Sequence, residues 1–313
     1  MTQSAREASV LRIGSRGSPL ALIQARAVQS RLAAAAGLDS GRIEIVAIRT
    51  TGDVVQDRPL AEAGGKGLFT KEIEEALIAG KIDLAVHSSK DLPTFLPAGL
   101  VLAGFLPRED PRDAFISRKA KTLRELAAGA VVGTASPRRE ALVKRFRPDL
   151  KVVTLRGNVE TRLAKLDAGE VDATILAVAG LKRLGLLAEA TAILDPDEFL
   201  PAVGQGAIGI ETRADDANTR ALVAKVDDPD TAIALAAERA FLAVLDGSCR
   251  TPIGGHAEIN GENIRFRGVI VKPDGSEAFE VSREGRREAA AELGADAGRE
   301  LRQRASADFF VRA

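Results

Sequence analysis

The run Leu200-Pro201-Ala202-Val203-Gly204-Gln205-Gly206-Ala207-Ile208-Gly209-Ile210-Glu211-Thr212 contains three glycines in the order G-x-G-x-x-G. Such a fingerprint holds a dinucleotide only where it follows a strand and opens a helix. Here residues 207–212 alternate as a strand, and no helix begins at Gly206. Residues 200–206 therefore read as a loop returning the chain from one lobe to another, and 207–212 as a late strand of the first lobe.

Strand and helix signals alternate on both sides of this crossing. Before it, strands are expected at 10–14, 42–49, 82–87 and 100–105, with helices at 19–36 and 69–79. Ser18-Pro19 suits a helix start and Gly37 its stop. Residues 107–112 read as a linker. A second series follows, with strands at 113–117, 131–134, 151–155, 172–177 and 191–194. Helices are expected at 122–127 (with a Thr122/Glu125 capping box), 137–146, 158–168 and 178–184. After the crossing come helices at 215–226 and 231–245, then strands at 256–259, 264–271 and 278–281 and a last helix at 286–304. The expected architecture is α/β: two parallel-rich α/β lobes and a small C-terminal α+β domain. Domain 1 takes 9–106 with 207–226, domain 2 takes 112–200, and domain 3 takes 229–313.

Composition excludes several function classes. The 313 residues carry 44 basic and 44 acidic side chains, so no global basic surface argues for nucleic acid. Trp and Tyr are absent, which removes the usual stacking platform for single strands. One cysteine and two histidines exclude a zinc site of the usual ligand types, so no metal is expected. The lone cysteine, the absence of an Asn-x-Ser/Thr sequon and the lack of an apolar N-terminal stretch lead us to expect a cytoplasmic protein without a membrane span. Gly64-Gly65-Lys66-Gly67 fails as a phosphate loop because Gly67 stands where Ser or Thr should follow the lysine.

The basic residues fall at strand ends. Arg16, Lys90, Arg138-Arg139 and Arg156 each follow a strand, and ligands of open α/β sheets bind at the carboxyl ends of strands. Arg138 and Arg139 also occupy the first turn of a helix, where the macrodipole disfavours cations by about 0.3–1 kcal/mol each. Such a local conflict points to an anion site, and several anion points imply a ligand with several carboxylates or phosphates. Asp91 is then the odd charge in a basic cleft, able to stabilise a developing cation or simply to cap its loop. His87 and His256 read as structural. Cys249, in Asp246-Gly247-Ser248-Cys249-Arg250-Thr251-Pro252, reads equally as a buried bystander or as a thiolate favoured by Arg250.

Taken together, the chain resembles the porphobilinogen deaminase family over nearly its whole length. The resemblance runs through Leu11 to Leu22, Gly64 to Lys71, Val86-His87-Ser88-Ser89-Lys90-Asp91 and Arg108 to Ala114. It continues in Leu155-Arg156-Gly157-Asn158, Leu176 to Leu184, Leu200 to Gly206 and Gly247 to Gly254. It implies lobes like those of type II periplasmic binding proteins and a transferase of porphyrin and heme biosynthesis. Four porphobilinogens would be linked into hydroxymethylbilane on a dipyrromethane cofactor held by a thioether to Cys249. By the same resemblance Asp91 is the catalytic carboxylate, and Lys90, Ser136, Arg138 and Arg139 hold the cofactor. Arg12, Arg16, Ser18, Arg156, Arg162, Arg183, Lys66 and Phe69 serve the substrate or the growing chain. The protein is expected to be a monomer with porphobilinogen as its partner. Ser248, Ala135 and Arg250 depart from common family residues without removing a chemical group. A non-catalytic anion receptor leaves Cys249 and Asp91 without a role, and a thiol enzyme lacks a resolving cysteine and a base.

Overall fold

The computed structural model describes residues 11–54, 67–245, 252–306 and 309. Its elements in chain order are β1 (Leu11–Arg16), α1 (Pro19–Ala36), β2 (Ile43–Ile48), α2 (Thr51–Val54), α3 (Lys71–Ile78), β3 (Leu84–Ser88) and β4 (Leu100–Leu106). Then come β5 (Asp113–Ser117), β6 (Val131–Gly133), α4 (Pro137–Phe146), β7 (Lys151–Val153), α5 (Val159–Asp167), β8 (Ala173–Ala177), α6 (Val178–Arg183) and β9 (Ala192–Ile193). The chain finishes with β10 (Ile208–Arg213), α7 (Ala217–Val223), α8 (Pro229–Val244), β11 (Ile253–Asn260), β12 (Asn263–Val271), β13 (Ala278–Arg286) and α9 (Ala290–Arg304).

Local chemistry sets where the helices begin. Ser18, Ser136 and Asp228 each accept a backbone N–H with the side chain, and each precedes a proline at the first helical position. Gly37 closes α1 in the left-handed region at φ 64°. The expected helix at 122–127 is reduced to a single tight turn, Leu123–Glu125. Thr122 makes no cap bond there, and Glu125 Oε2 accepts instead from the Lys121 N–H at 3.2 Å. With Gly129 so close behind, the segment is too short to repay helix nucleation.

Two five-stranded sheets result, in the orders β2-β1-β3-β10-β4 and β7-β6-β8-β5-β9. Each sheet is mixed, with four of its five strands running one way and a single strand running against them. β1 pairs in parallel with β2 and β3, whereas β10 runs antiparallel to β3 and β4. The second sheet repeats this, with β6 parallel to β7 and β8 and β5 antiparallel to β8 and β9. The cause is connectivity. β5 and β10 each enter their sheet directly from the other lobe, without the helical crossover a parallel neighbour requires.

On the first sheet, Ala25, Val28 and Leu32 of α1 pack with Ile13, Leu84 and Ile210, while Ile73 and Leu77 of α3 pack with Ile82 and Ala85. The sheet β11-β12-β13 packs on α8 and α9 around Phe241 and Phe266, whose ring centroids lie 5.0 Å apart. Full burial of such a ring contributes about 1.5–3 kcal/mol.

The crossing 200–206 is fixed by close backbone contacts. Gly255 of β11 donates its N–H to the Pro201 carbonyl at 2.9 Å, and a Cβ at Gly254 would lie 3.1 Å from the Leu200 carbonyl oxygen. Gly206 has φ +90°, and a Cβ there would lie 2.2 Å from the Glu109 carbonyl oxygen in the opposite crossing. Both crossings thus touch at a point where only glycine fits. Gly206→Ala is expected to destabilise the protein by about 2–4 kcal/mol, from the strained φ and the displaced crossing together. Thermal denaturation checks this: an unchanged midpoint would show that the crossings separate without penalty.

Candidate active site

The carboxyl ends of β1 and β3 face the strand ends of the second lobe across a cavity of about 700 Å³. Among the described residues seven cationic side chains line it (Arg16, Arg49, Lys90, Arg139, Arg156, Arg162 and Arg183) against three acidic ones, Asp53, Asp91 and Glu160. In a protein of zero net charge this is a strong local concentration of positive potential.

In the first lobe, Arg16 ends β1 and bonds Asp53 through Nε at 3.1 Å and through Nη2. Asp53 also accepts from the Thr50 hydroxyl at 2.8 Å. Burial alone would raise the Asp53 carboxyl, but the bonds and charge of Arg16 hold it below the usual range. The Arg16 guanidinium stands 4.3 Å from the centroid of the Phe69 ring, so the cation and the aromatic face position each other. Ser18 lines the cavity as the cap of α1.

β3 runs directly into the tight turn Ser89–Asp91, which presents Lys90 and Asp91. Asp91 Oδ2 lies 3.9 Å from Arg16 Nη1, and its side chain is 31% exposed. Lys90 Nζ donates to Gln205 Oε1 at 3.3 Å. Burial, and then the nearby charge of Arg139, push the Lys90 ammonium down to about 8.

From the second lobe, Arg139 reaches the cavity wall through a buried cluster. Arg139 Nη2 and Arg138 Nη2 each lie 2.7 Å from a different oxygen of Asp113, at the start of β5. Burial would raise the Asp113 carboxyl, but the two guanidiniums hold it far below the carboxylate range. Asp113 is the counter-charge that lets two arginines occupy the first turn of α4. Gln205 Nε2 donates to Asp113 Oδ1 at 2.8 Å and to the Pro111 carbonyl at 2.6 Å, so one amide joins Asp113, the linker and Lys90.

Two further cations are held by backbone oxygens. Arg162 Nε donates to the Gly157 carbonyl at 2.9 Å, and Arg183 Nη2 to the Gly206 carbonyl at 2.7 Å. Burial, followed by repulsion from Arg139, lowers Arg162 to about 10. Arg156 is 9% exposed and also lines the cavity.

Three expected residues are not brought to the cavity wall. Arg12 sits at the opposite end of β1, bonded to Asp83 at 2.8 Å and to the Gly80 carbonyl. Arg138 is committed to Asp113 and, at 2.8 Å, to the Leu200 carbonyl. Ser136 turns its hydroxyl to the Arg139 N–H as the α4 cap. Cys249 and Lys66 lie outside the described residues. Sequence reasoning had not singled out Asp53, Asp113 or Gln205; the one available signal was a lone amide between Gly204 and Gly206. His87 is buried with Nε2 3.1 Å from Glu211 Oε2, and burial pushes the His256 imidazole down. Among the described residues no three His, Cys, Asp or Glu side chains are grouped to hold a metal, and no helix is long and apolar enough to cross a membrane.

Comparison with known proteins accounts for both lobes and the C-terminal unit. A family model described as porphobilinogen deaminase, dipyromethane cofactor binding domain, matches residues 11–221, and one described as porphobilinogen deaminase, C-terminal domain, matches residues 232–303. The porphobilinogen deaminase of Nitrobacter hamburgensis is 63% identical over 310 residues, covering 99% of this chain and 98% of that one. That of Paracoccus denitrificans is 56% identical over 310 residues, covering 99% of each. Among solved structures, the methionine binding protein MetQ aligns at 18% identity and a TM-score of 0.44, over 71% of this chain and 91% of that one. With both family models matched in order and more than half of all residues shared end to end with these relatives, the chain belongs to the porphobilinogen deaminase family.

Proposed function

We propose that this chain is a hydroxymethylbilane synthase. It joins four porphobilinogens, with loss of ammonia at each step, on a dipyrromethane primer anchored by a thioether to Cys249. The observation that carries the reading is Asp91: a cavity carboxylate 3.9 Å from Arg16 that accepts no hydrogen bond from a described residue. Its lone pairs are free for a substrate N–H. Family membership supports the reaction class.

The residues present fit a cofactor bearing carboxylates. Lys90 is half-buried at the cavity wall with one long bond to Gln205, so most of its donor capacity is unanswered among the described residues. Carboxylates there would restore the charge that burial disfavours. When bound, dipyrromethane supplies the electron-rich pyrrole carbon at which chain growth starts. On this reading Lys90 and Arg139 hold its carboxylates, with Arg138 and Ser136 fixing Arg139 from behind. Arg16, Ser18, Arg156, Arg162 and Arg183 hold acetate and propionate groups of substrate and chain, with Phe69 against a pyrrole face, and Lys66 serves the same chain. Asp91 faces the pyrrole nitrogens and stabilises the positive charge that develops as the C–N bond breaks and its electron pair leaves with ammonia. A charge pair at 4 Å in a partly screened site is worth about 4 kcal/mol. The three domains are those bounded at 9–106 with 207–226, 112–200 and 229–313. The single cysteine supports a reducing, cytoplasmic setting, and the reading takes the protein to act as a monomer.

Intact mass of the purified protein is expected to exceed that of the chain by one dipyrromethane, and Cys249→Ser to lose the excess; active protein with an unmodified thiol would sink the reading. Asp91→Asn is expected to retain the added mass while kcat falls roughly 10³-fold, the equivalent of the charge it removes. Normal turnover would refute the role. Lys90 binds anions in its protonated form, so loading of dipyrromethane onto the apo-protein should decline above about pH 8, by up to about tenfold per unit, whereas the loaded enzyme, with Lys90 already paired to carboxylates, should not show it. Lys90→Arg should remove that decline, and a limb left at the same pH would assign it to another group.

A further inference from the structure

We propose that Arg49 captures the carboxylates of incoming porphobilinogen at the cavity mouth, before the buried cations engage them. The proposal rests on the functional reading above. Among the described residues Arg49 is the cavity-lining cation with no hydrogen bond, ion pair or ring contact. Arg16 is held by Asp53, Arg139 by Asp113, Lys90 by Gln205, and Arg162 and Arg183 by carbonyls. An exposed guanidinium on the wall of an anion site, with its donors unanswered, is placed to meet a ligand first.

Its base is rigid. In the parallel pairing of β1 with β2, Arg16 stands opposite Ile48, so Arg49 is one residue beyond, on the neighbouring strand about 5 Å away. Thr50 follows, 1% exposed and bonded through its hydroxyl to Asp53 at 2.8 Å. The backbone on both sides of Arg49 is therefore tied to the assembly that fixes Arg16. Two guanidiniums on adjacent strand ends suit a small dicarboxylate: one stays shared with Asp53, and the other is wholly available. Porphobilinogen, with an acetate and a propionate on one ring, is such a ligand.

Because the Arg49 side chain is exposed, its contribution is that of a screened charge, expressed in encounter and KM rather than in kcat. Arg49→Gln is expected to raise KM roughly two- to fivefold at low salt with kcat unchanged, Arg49→Glu to raise it further, and Arg49→Lys to retain most of the wild-type value. The fall of kcat/KM with added salt should be shallower in Arg49→Gln than in wild type. Equilibrium binding of porphobilinogen to Asp91→Asn protein should weaken by the same factor when Arg49→Gln is added. Turnover with KM, salt dependence and binding all indifferent to Arg49 overturns this proposal alone. A wild-type protein that neither binds nor consumes porphobilinogen overturns the functional reading, and this proposal with it.

Discussion

Asp113 is fully buried and carries its negative charge between two guanidiniums that are themselves almost fully buried. No member of this cluster is tolerable alone. Removing one partner of a buried pair typically costs about 3–5 kcal/mol, because the remaining charge is left without solvent or counter-ion. The constraint therefore fixes geometry across both lobes. Asp113 begins the strand that arrives from the first lobe, Arg138 and Arg139 open α4 of the second, and Gln205 sits in the return crossing with its amide on Asp113. The same amide accepts from Lys90, at the end of β3. One carboxylate thus holds both crossings and, through a single glutamine, reaches the turn that carries Asp91.

The fold was largely legible because its signals are local. Caps at Ser18, Ser136 and Asp228, prolines at helix starts and period-two apolar runs need no knowledge of distant residues. The orientation of β5 and β10 is a different matter. Alternation marks a strand but not its direction, and direction here follows from the lobe the chain has just left. The 122–127 segment misled for the opposite reason: its capping-box spacing was present, but too few residues followed to propagate a helix.

The site was legible as a set of charges and not as a set of roles. Arg12 and Arg16 lie on one strand and look equivalent in sequence. Four residue rises separate them, however, about 13 Å along the strand, so the two belong to opposite ends of the sheet. Arg12 pairs with Asp83 there, far from the cavity. Arg138 and Arg139 are adjacent, yet one is absorbed by Asp113 and a backbone carbonyl while the other also lines the cavity. Their partners lie 25 and 26 positions away, a pairing that spacing does not encode. The glycine-rich crossing concealed Gln205 because its glycines drew the eye to a nucleotide motif.

What each cation is bonded to decides how much of its charge a ligand receives. Arg138 is neutralised by Asp113, and Arg16 divides its attention between Asp53, the Phe69 ring and Asp91. Arg162 and Arg183 are held by carbonyl oxygens, which orient a guanidinium without cancelling its charge. Lys90 is under-satisfied and partly driven toward neutrality. A wall so graded has no single deep anion well. On the proposed reading, a chain whose carboxylates are gripped and then released as further rings are added calls for such a gradation, because a single deep well would hold the product in place.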